Sequence, residues 1–380
     1  MEPSKLVLWL AEIIVAWFLL FAIQIPLRRS KLRVLRIIIF IVKVILIPAT
    51  ALLFVAIEWP LPYHRGDVFV AVYAALVADV AASVIEYVVR LFRRRRTEEG
   101  SRHKADLKFS AVLSLILCAC FVCYGFFNSQ IIVKNTHTWQ AEGLKEAHTF
   151  AVAGDLHTGS AQSMKTLEKF CNKINKASPE FLVIVGDVTD EFTSHDDMIE
   201  TYQILSKIEV PVYFIYGNHD RQPGNSYVGG RTYTDEELAA AIEGAGIKIL
   251  SDEFVKVADD LVLLGREDVT MEGIRKPWAE LTNPYEGDGA LIVADHQPYD
   301  EEQLAQEKSA LQVSGHTHAG QLWPLQFVYR VLLGLPAYGE FEEAGTRLYV
   351  TAGVNDWMIP LRTEEHCEWE LITLEPADQQ

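Results

Sequence analysis

Long apolar stretches, separated by short polar segments, dominate the first third of the chain. Four of them cover roughly residues 6–25, 37–57, 68–91 and 109–127. A helix needs about 20 apolar residues to cross a bilayer, and each stretch is close to that length. The pattern therefore predicts four transmembrane helices within residues 1–128.

Beyond Gln130 the pattern changes to short β-rich runs that alternate with amphipathic segments. Ser160–Lys176 and Asp196–Ile208 repeat apolar positions at helical spacing, which predicts two helices. Thr234 and Glu237 have the spacing of a capping box that opens a third helix. Strands that alternate with helices predict an α/β fold for this part of the chain.

Charge divides unevenly between these two parts of the 380-residue chain, whose net charge is −17. Residues 1–128 contain 16 Lys or Arg and 9 Asp or Glu, giving +7, whereas residues 129–380 contain 18 and 42, giving −24. Affinity for nucleic acid comes mainly from clustered Lys and Arg. We therefore expect no nucleic-acid partner. A chain that is 50% hydrophobic is also not a disordered protein.

Basic residues between the apolar stretches predict how the helices are oriented. Five Lys or Arg lie in residues 28–36 and eight in residues 90–108, whereas Arg65 alone lies between the second and third stretches. Loops rich in Lys and Arg stay in the cytoplasm. The multi-pass protein should therefore sit in the cell membrane with everything after Phe127 outside the cytoplasm.

Four ionisable residues fall within the predicted spans: Glu12, Lys43, Asp79 and Glu86. Charge at this depth is costly and is usually paired or functional. Lys43 and Glu86 are expected at similar depths on neighbouring helices, which predicts an ion pair that clamps the bundle. A transport pathway is the alternative.

Five predicted strands are each followed by residues that can bind a metal ion. Ligands of open α/β sheets bind beside the carboxyl ends of the strands, so these residues should converge. Their nitrogen and oxygen donors suit Mn²⁺, Fe or Zn²⁺. The strands Thr149–Ala153, Phe181–Val185, Val212–Tyr216, Leu291–Ala294 and Leu311–Ser314 lead respectively into Asp155 and His157, Asp187, Asn218 with His219 and Asp220, His296, and His316 with His318.

The number of candidate ligands favours two ions over one. A single ion cannot use seven protein ligands and still leave room for a substrate. Two ions about 3.5–4 Å apart, bridged by one carboxylate, can use all seven. The candidates are Asp155, His157, Asp187, Asn218, His296, His316 and His318.

The order of these motifs resembles that of the calcineurin-like metallophosphoesterase superfamily over roughly residues 148–375. Within it, Gly-His-Thr-His-x-Gly-Gln at residues 315–321, after several apolar spans, is similar to bacterial transmembrane proteins with a metallophosphoesterase domain. Ala319 stands where that branch often has glycine. The motifs that carry the resemblance are Asp155-x-His157, Gly186-Asp187, Gly217-Asn218-His219-Asp220, His296 and Gly315-His316-x-His318.

This resemblance implies an α/β fold class, with an N-terminal four-helix transmembrane region followed by a two-sheet αββα sandwich. We expect transmembrane helices in residues 1–128, a linker in residues 129–147 and the metallophosphoesterase domain in residues 148–376. It also implies two divalent metal ions that share Asp187. One would be held by Asp155, His157 and His318, and the other by Asn218, His296 and His316.

The chemistry that follows is hydrolysis of a phosphoester. A hydroxide that bridges two metal ions is a strong nucleophile, and the same ions offset charge on the phosphoryl oxygens. His219 adjoins a ligand without being one, and we assign it to protonating the leaving oxygen. Asp220 is expected to hold the imidazole of His219 in the required tautomer.

Two segments are candidates for shaping the substrate site. Arg221 and Arg231 lie in a glycine-rich segment, residues 221–234, and either could bind a phosphate or carboxylate of the substrate. Residues 322–338 are unusually apolar and aromatic. They form either a core strand or helix, or a surface that meets acyl chains or the bilayer.

The sequence thus predicts a membrane-anchored phosphodiesterase or pyrophosphatase. A lipid-linked or envelope substrate is expected, as in lipid metabolism, and relatives that cleave UDP-diacylglucosamine pyrophosphates offer one model. Such substrates are usually made on the cytoplasmic side, which conflicts with the predicted orientation. The alternatives are a non-catalytic interaction module that retains the fold, and a channel or transporter with an appended domain.

Overall fold

The structure, a computed structural model, describes residues 3–28, 33–56, 64–93, 102–159, 163–221, 232–285, 287, 289–298, 309–343 and 346–377. In the four N-terminal helices the described side chains are those of residues 11–23, 34–53, 68–89, 91 and 109–129. The chain divides into two compact units. The first comprises Met1–Phe127 with Leu322–Leu325, and the second comprises Asn128–Gln321 with Gln326–Gln380.

Four helices build the first unit, and apolar composition explains their length. Among the residues described, three contain stretches long and apolar enough to cross a membrane: Val34–Leu53, Val68–Val89 and Phe109–Ser129. The first helix contributes the shorter apolar stretch Ala11–Ile23. The helices are α1 (Pro3–Arg28), α2 (Arg33–Ala56), α3 (His64–Arg93) and α4 (Arg102–Ser129).

A buried ion pair joins two of these helices. Nζ of Lys43 on α2 lies 2.6 Å from Oδ2 of Asp79 on α3, and both residues are buried. The sequence predicted Glu86 as the partner of Lys43. The salt bridge that forms is to Asp79, two helical turns before Glu86 on α3.

The second unit contains, in its described residues, two six-stranded sheets. The first has the order β1-β12-β2-β3-β4-β5 and the second β10-β11-β9-β8-β7-β6. The strands are β1 (Ile132–Ala141), β2 (His148–Ala153), β3 (Leu182–Ile184), β4 (Val212–Phe214), β5 (Lys248–Ile249), β6 (Glu253–Ala258), β7 (Leu261–Gly265), β8 (Ala290–Ala294), β9 (Leu311–Ser314), β10 (Gly339–Glu343), β11 (Thr346–Val350) and β12 (Cys367–Pro376).

Apolar side chains fill the space between the sheets and the space beneath the helices. Phe150 and Val183 of the first sheet belong to one buried cluster with Leu263 and Ile292 of the second. A separate buried cluster joins the first sheet to three helices of the second unit. The three helices are α5 (Met164–Ala177), α6 (His195–Leu205) and α8 (Asp235–Gly244). Two further short helices are α7 (Asn218–Arg221) and α9 (Leu325–Phe327), and α9 continues as the π-helix Val328–Leu333. The predicted mixed α/β class with two sheets is confirmed.

Local details of the helices follow the sequence closely. The hydroxyl of Thr234 accepts from the amide of Glu237 at 3.2 Å, and the carboxylate of Glu237 accepts from the amide of Thr234 at 2.8 Å. The capping box of α8 is therefore confirmed. Cys171 and Cys367 are both buried and free.

One part of the predicted domain plan needs correction. Residues 129–147, expected as a linker, contain the ten-residue strand β1. It pairs in parallel with β12, where Ile132 lies opposite Cys367 and Ala141 opposite Pro376. The alternation of partly buried and exposed side chains along β1 has the period of two that a half-covered edge strand requires.

Candidate metal centre

The candidate ligands lie just beyond the carboxyl ends of neighbouring strands. Strands β2, β3 and β4 are adjacent and parallel in the first sheet, and β8 and β9 are adjacent and parallel in the second. Because parallel strands end at the same edge, the loops after them meet where the two sheets face each other. The structure brings all seven candidate ligands to that edge.

The first group of donors consists of Asp155, His157 and His318, all buried. Nε2 of His157 lies 3.1 Å from Nε2 of His318. Nε2 of His318 lies 3.6 Å from Oδ1 of Asp155. Two ligand atoms that are each about 2.1 Å from one ion lie roughly 3.0–3.4 Å apart. The separation of the two histidines fits the coordination shell of a single metal ion, and that of His318 and Asp155 is slightly wider.

The second group consists of Asp187, His296 and His316. Nε2 of His296 lies 3.0 Å from both Oδ2 of Asp187 and Oδ1 of Asn218. Nδ1 of His316 lies 2.9 Å from the same oxygen of Asn218. These separations also fit one coordination shell. Asn218 and His316 are only partly buried, so the second group forms the mouth of the site.

Asp187 lies within reach of both groups. Its Oδ2 is 3.0 Å from Nε2 of His296 in the second group and 3.8 Å from Nε2 of His157 in the first. A carboxylate oxygen placed between two donor sets is the arrangement that a two-metal site requires.

The backbone at the site adopts conformations that are uncommon for residues other than glycine. Asp155, His157, Asp187, His316 and His318 all have positive φ, between 39° and 72°. Such residues cost of order 1–3 kcal/mol each and cluster at functional sites. The strained turns aim the side chains at the site.

Glycines make room for the two carboxylates. A Cβ on Gly217 would lie 2.2 Å from Oδ1 of Asp187, and one on Gly315 would lie 2.4 Å from Oδ2 of Asp155. These approaches are too close for any side chain. The glycines of the Gly-Asn-His-Asp and Gly-His-Thr-His motifs are therefore required by the carboxylates that they face.

Burial and neighbouring charges shift the pKa values of two donor histidines in opposite directions. Burial, then the positive charge of His157 and Arg362, holds the pKa of His318 well below its usual value, so its imidazole is neutral. Burial alone would lower the pKa of His296, but the neighbouring Asp187 raises it to about 10. A divalent ion competes with that proton, because metal ligands must give up their protons.

Comparison with known proteins agrees with this donor set. Residues 148–320 match the model of the calcineurin-like phosphoesterase family. The chain carries a calcineurin-like metallophosphoesterase domain. Members of the family hydrolyse phosphoester bonds and typically bind two divalent metal ions, which fits the two donor groups above.

Relatives of this metallophosphoesterase are found in animals and bacteria. The chain is 28% identical over 309 residues to a zebrafish transmembrane protein with a metallophosphoesterase domain, covering 76% of this chain and 68% of the relative. It is 24% identical over 309 residues to an uncharacterized metallophosphoesterase of Campylobacter jejuni, covering 80% and 78%. A zebrafish dimetal phosphatase of known structure has 11% identity and a TM-score of 0.40, over 62% of this chain and 94% of that one.

His219 of the metallophosphoesterase domain has a partner that the sequence did not indicate. Its Nδ1 lies 2.8 Å from Oε2 of Glu191, and both side chains are buried. The ring lies 5.3 Å from that of His157 and 5.6 Å from that of Trp357. Glu191 therefore holds the imidazole, which corrects the prediction that Asp220 does so.

Asp220 instead fixes the backbone of the metal-binding loops. Its Oδ2 accepts hydrogen bonds from the amides of Asp187 and Gly217, both at 2.8 Å. Its Oδ1 accepts from the amides of Val188 and Thr189, both at 3.0 Å. Through these four hydrogen bonds, the carboxylate holds the turn that contains Asp187 against the loop that contains Asn218.

The two arginines predicted to bind substrate have different outcomes. Arg221 forms a salt bridge with the buried Glu267, and its guanidinium lies 4.0 Å from the ring centroid of Tyr216. Its charge is thus neutralised within the protein, and a substrate clamp is not what this geometry favours. Arg231 lies outside the described residues.

Two supporting residues were missed by sequence reasoning. The amide of Asn355 donates to the carbonyls of Leu156 at 2.8 Å and His157 at 3.3 Å. The fully buried Arg362 donates to the carbonyl of His318 at 3.1 Å and to that of Asn355 at 3.0 Å. Both side chains bond to backbone rather than to ligand atoms. Their positions in an irregular loop carry no spacing signal that could have identified them.

Proposed function

We propose that this protein is a membrane-anchored hydrolase of phosphoesters that uses two divalent metal ions, Mn²⁺, Fe or Zn²⁺. In this proposal Asp155, His157 and His318 hold one ion, Asn218, His296 and His316 hold the other, and Asp187 bridges them. The observation that carries the proposal is the position of Oδ2 of Asp187, which is 3.0 Å from His296 and 3.8 Å from His157.

When bound, the two ions would activate water and offset the charge that develops on the phosphoryl oxygens. The residues of the chain supply the rest of the chemistry. The loop that Asp220 clamps keeps Asp187 and Asn218 at fixed separation, so no reorganisation is needed during the reaction.

His219 is the proposed general acid. Its Nδ1–H donates to Glu191, which fixes the tautomer and leaves the proton chemistry to Nε2. The neighbouring carboxylate also stabilises the imidazolium form that donates a proton to the leaving oxygen. Glu191 is a positioning residue in this scheme, because it acts through His219.

The proposed substrate is a phosphodiester or pyrophosphate with a lipid-linked or envelope component. Membrane anchoring supports this choice, because only two residues separate the end of the apolar stretch Phe109–Ser129 from the start of β1. The distribution of Lys and Arg supports a multi-pass topology with the catalytic domain outside the cytoplasm. A cysteine placed at Ser101 should then be labelled only after the cells are permeabilised, and labelling of intact cells would reverse the orientation.

An assay of the full-length chain on bis-p-nitrophenyl phosphate with Mn²⁺ tests the activity. Wild-type protein should turn over this substrate. On an alkyl phosphodiester, whose leaving oxygen needs a proton, His219→Ala should lower kcat by about 10²–10⁴-fold with bound metal unchanged. His195→Ala is the matched control, because His195 is exposed at the start of α6 and should have no effect. Absence of Mn²⁺-dependent turnover, together with an inert His219→Ala change, would favour the non-catalytic module.

A further inference from the structure

The segment after His318 carries a set of exposed apolar side chains. We call Phe327, Val331, Leu332 and Leu333 the apolar ridge; their exposed fractions are 57%, 59%, 67% and 56%. Leu325 and Val328 of the same helical segment are buried, so the segment has one buried side and one exposed side. A concentration of large apolar side chains on the outer side marks an interaction surface.

The apolar ridge is held rigidly beside the metal centre. The segment that contains the ridge begins shortly after His318. At its other end, the carbonyl of Ala337 accepts a hydrogen bond from the hydroxyl of Thr317 at 2.5 Å. The amide of Gln326 donates to Glu364 at 2.9 Å. Thr317 lies between His316 and His318, so both ends of the segment are fastened to the loop that carries these donors.

The residues that directly precede the ridge indicate which surroundings its exposed side chains meet. Leu322–Leu325, which directly precedes the ridge, belongs to the unit of the four apolar helices. Within that unit the hydroxyl of Tyr73 donates to the carbonyl of Trp323 at 2.6 Å. Tyr73 is five residues into the stretch Val68–Val89, about 7.5 Å from its start. The residues next to the ridge are therefore tied to one end of an apolar span.

The chemistry of this region is that of a bilayer interface. The side chain of Trp323 is half exposed, and tryptophan favours the boundary between headgroups and acyl chains. Short helical segments with apolar outer faces lie in that layer with their apolar side chains directed into it.

We propose that the apolar ridge inserts into the interfacial layer of the lipid bilayer and presents the metal centre to amphiphilic phosphoesters at headgroup depth. The second half rests on the proposed function, because it names the substrate class of the same site. The first half, the insertion itself, stands independently of catalysis.

A depth measurement tests the insertion. A nitroxide is attached to Leu332→Cys in the full-length chain, with the exposed Cys120 and Cys123 changed to serine, in vesicles of phosphatidylcholine and phosphatidylglycerol. The ratio of collisions with oxygen to collisions with a nickel chelate should be several-fold higher than for a label at Ile274→Cys, which is exposed in the soluble domain. Equal ratios would overturn the proposal. Protection of Leu332→Cys from both reagents would also overturn it, because protein would then cover the ridge.

A pair of double variants tests the substrate class. Leu332→Ser with Leu333→Ser should lower hydrolysis of a long-chain alkyl nitrophenyl phosphoester in the same vesicles several-fold, with turnover of soluble bis-p-nitrophenyl phosphate unchanged. Val269→Ser with Ile274→Ser is the matched control, since both residues are about half exposed away from the ridge, and should change neither rate.

Outcomes of the two experiments separate the proposals. An equal loss on both substrates would overturn the claim about substrate class. Wild-type protein that hydrolyses neither substrate would overturn the proposed function, while the nitroxide at Leu332→Cys would still decide whether the ridge is inserted.

Discussion

The helical unit and the candidate metal centre treat buried charge in opposite ways. Among the helices, Lys43 and Asp79 neutralise each other at 2.6 Å. In the soluble domain, Asp155 and Asp187 are gathered with histidines at the edge where the two sheets meet. A pair that neutralises itself is a structural element, whereas donors that converge on a point suit an external cation.

The difference also appears in the backbone. In the helical pair, Lys43 and Asp79 both lie within α-helices. The metal centre needs five residues with positive φ and two glycines that no other residue can replace. Strain of this kind persists only where the surrounding structure enforces it. The site therefore depends on unusual backbone conformations, whereas the helical ion pair requires only two regular helices.

The largest effect is expected from the carboxylate between the two donor groups. Asp187→Asn should abolish Mn²⁺-dependent turnover and reduce bound metal below two ions per chain, because the amide cannot bridge them. Metal analysis and the phosphodiester assay measure both effects. Asp260→Asn is the control, since Asp260 is equally buried but bonds to His148, and it should retain both ions. Two ions bound to Asp187→Asn would contradict the assignment.

Loss of the carboxylate behind His219 should have a smaller effect. Glu191→Gln keeps the size of the side chain but removes the charge that stabilises the imidazolium. We expect kcat between those of wild type and His219→Ala, with metal content unchanged. The rate with a better leaving group should recover, because less protonation is then needed. A loss equal for good and poor leaving groups would show that Glu191 has only a structural role.

The helical ion pair should respond as a structural element. Asp79→Asn leaves Lys43 buried without its countercharge and should destabilise the helical unit by about 3–5 kcal/mol. Thermal unfolding in detergent measures this loss. The double variant Lys43→Met with Asp79→Leu should recover most of the stability, because no charge then remains. Failure of the double variant to recover, with hydrolysis also lost, would give the pair a functional role.

Two buried carboxylates of β12, Glu368 and Glu370, are expected to give the smallest effect, which is on the pH dependence of stability. Burial raises the pKa of Glu370 to about 7, and burial with the neighbouring Glu370 raises the pKa of Glu368 to about 8. Both exceed the value of 4.5 taken for the unfolded chain, so the folded state holds protons longer and stability falls as pH rises from about 4.5 to about 8.

Glu370→Gln should therefore narrow the difference in Tm between about pH 5 and about pH 8.5. Glu253→Gln, a change at an exposed strand residue, should leave that difference as in wild type. An unchanged pH dependence in Glu370→Gln would mean that the pair is ionised in the folded protein.

The candidate ligands could be predicted from the sequence because they lie just after the ends of strands. Each ligand follows the end of its strand by two to four residues, and parallel strands must end at a common edge. Short local sequence patterns were therefore enough to predict that Asp155, Asp187 and His316, which are far apart in the chain, lie close together in the fold. The capping box of α8 was predictable for the same reason, because all of its atoms are local.

Contacts between distant irregular segments were not predictable. Glu191 lies in a turn after β3 and meets His219 only because α7 turns the chain back beside it. Asn355 and Arg362 come from a loop more than 35 residues beyond His318. Composition favoured a core position for residues 322–338, but Phe327 and Leu332 are exposed, since the segment lies outside both sheets.

Ala319 shows how one departure from a family pattern translates into structure. Its φ is 51°, in the left-handed region that favours glycine. The residue is buried in the turn between His318 and Gly320. The sequence identified the substitution, and only the structure shows its conformational cost.

Anomalous scattering from crystals of the full-length chain grown with excess Mn²⁺ tests the central claim most directly. The account predicts two peaks about 3.5–4 Å apart, one on either side of the carboxylate of Asp187. A single peak, or none, in a well-ordered crystal would contradict it.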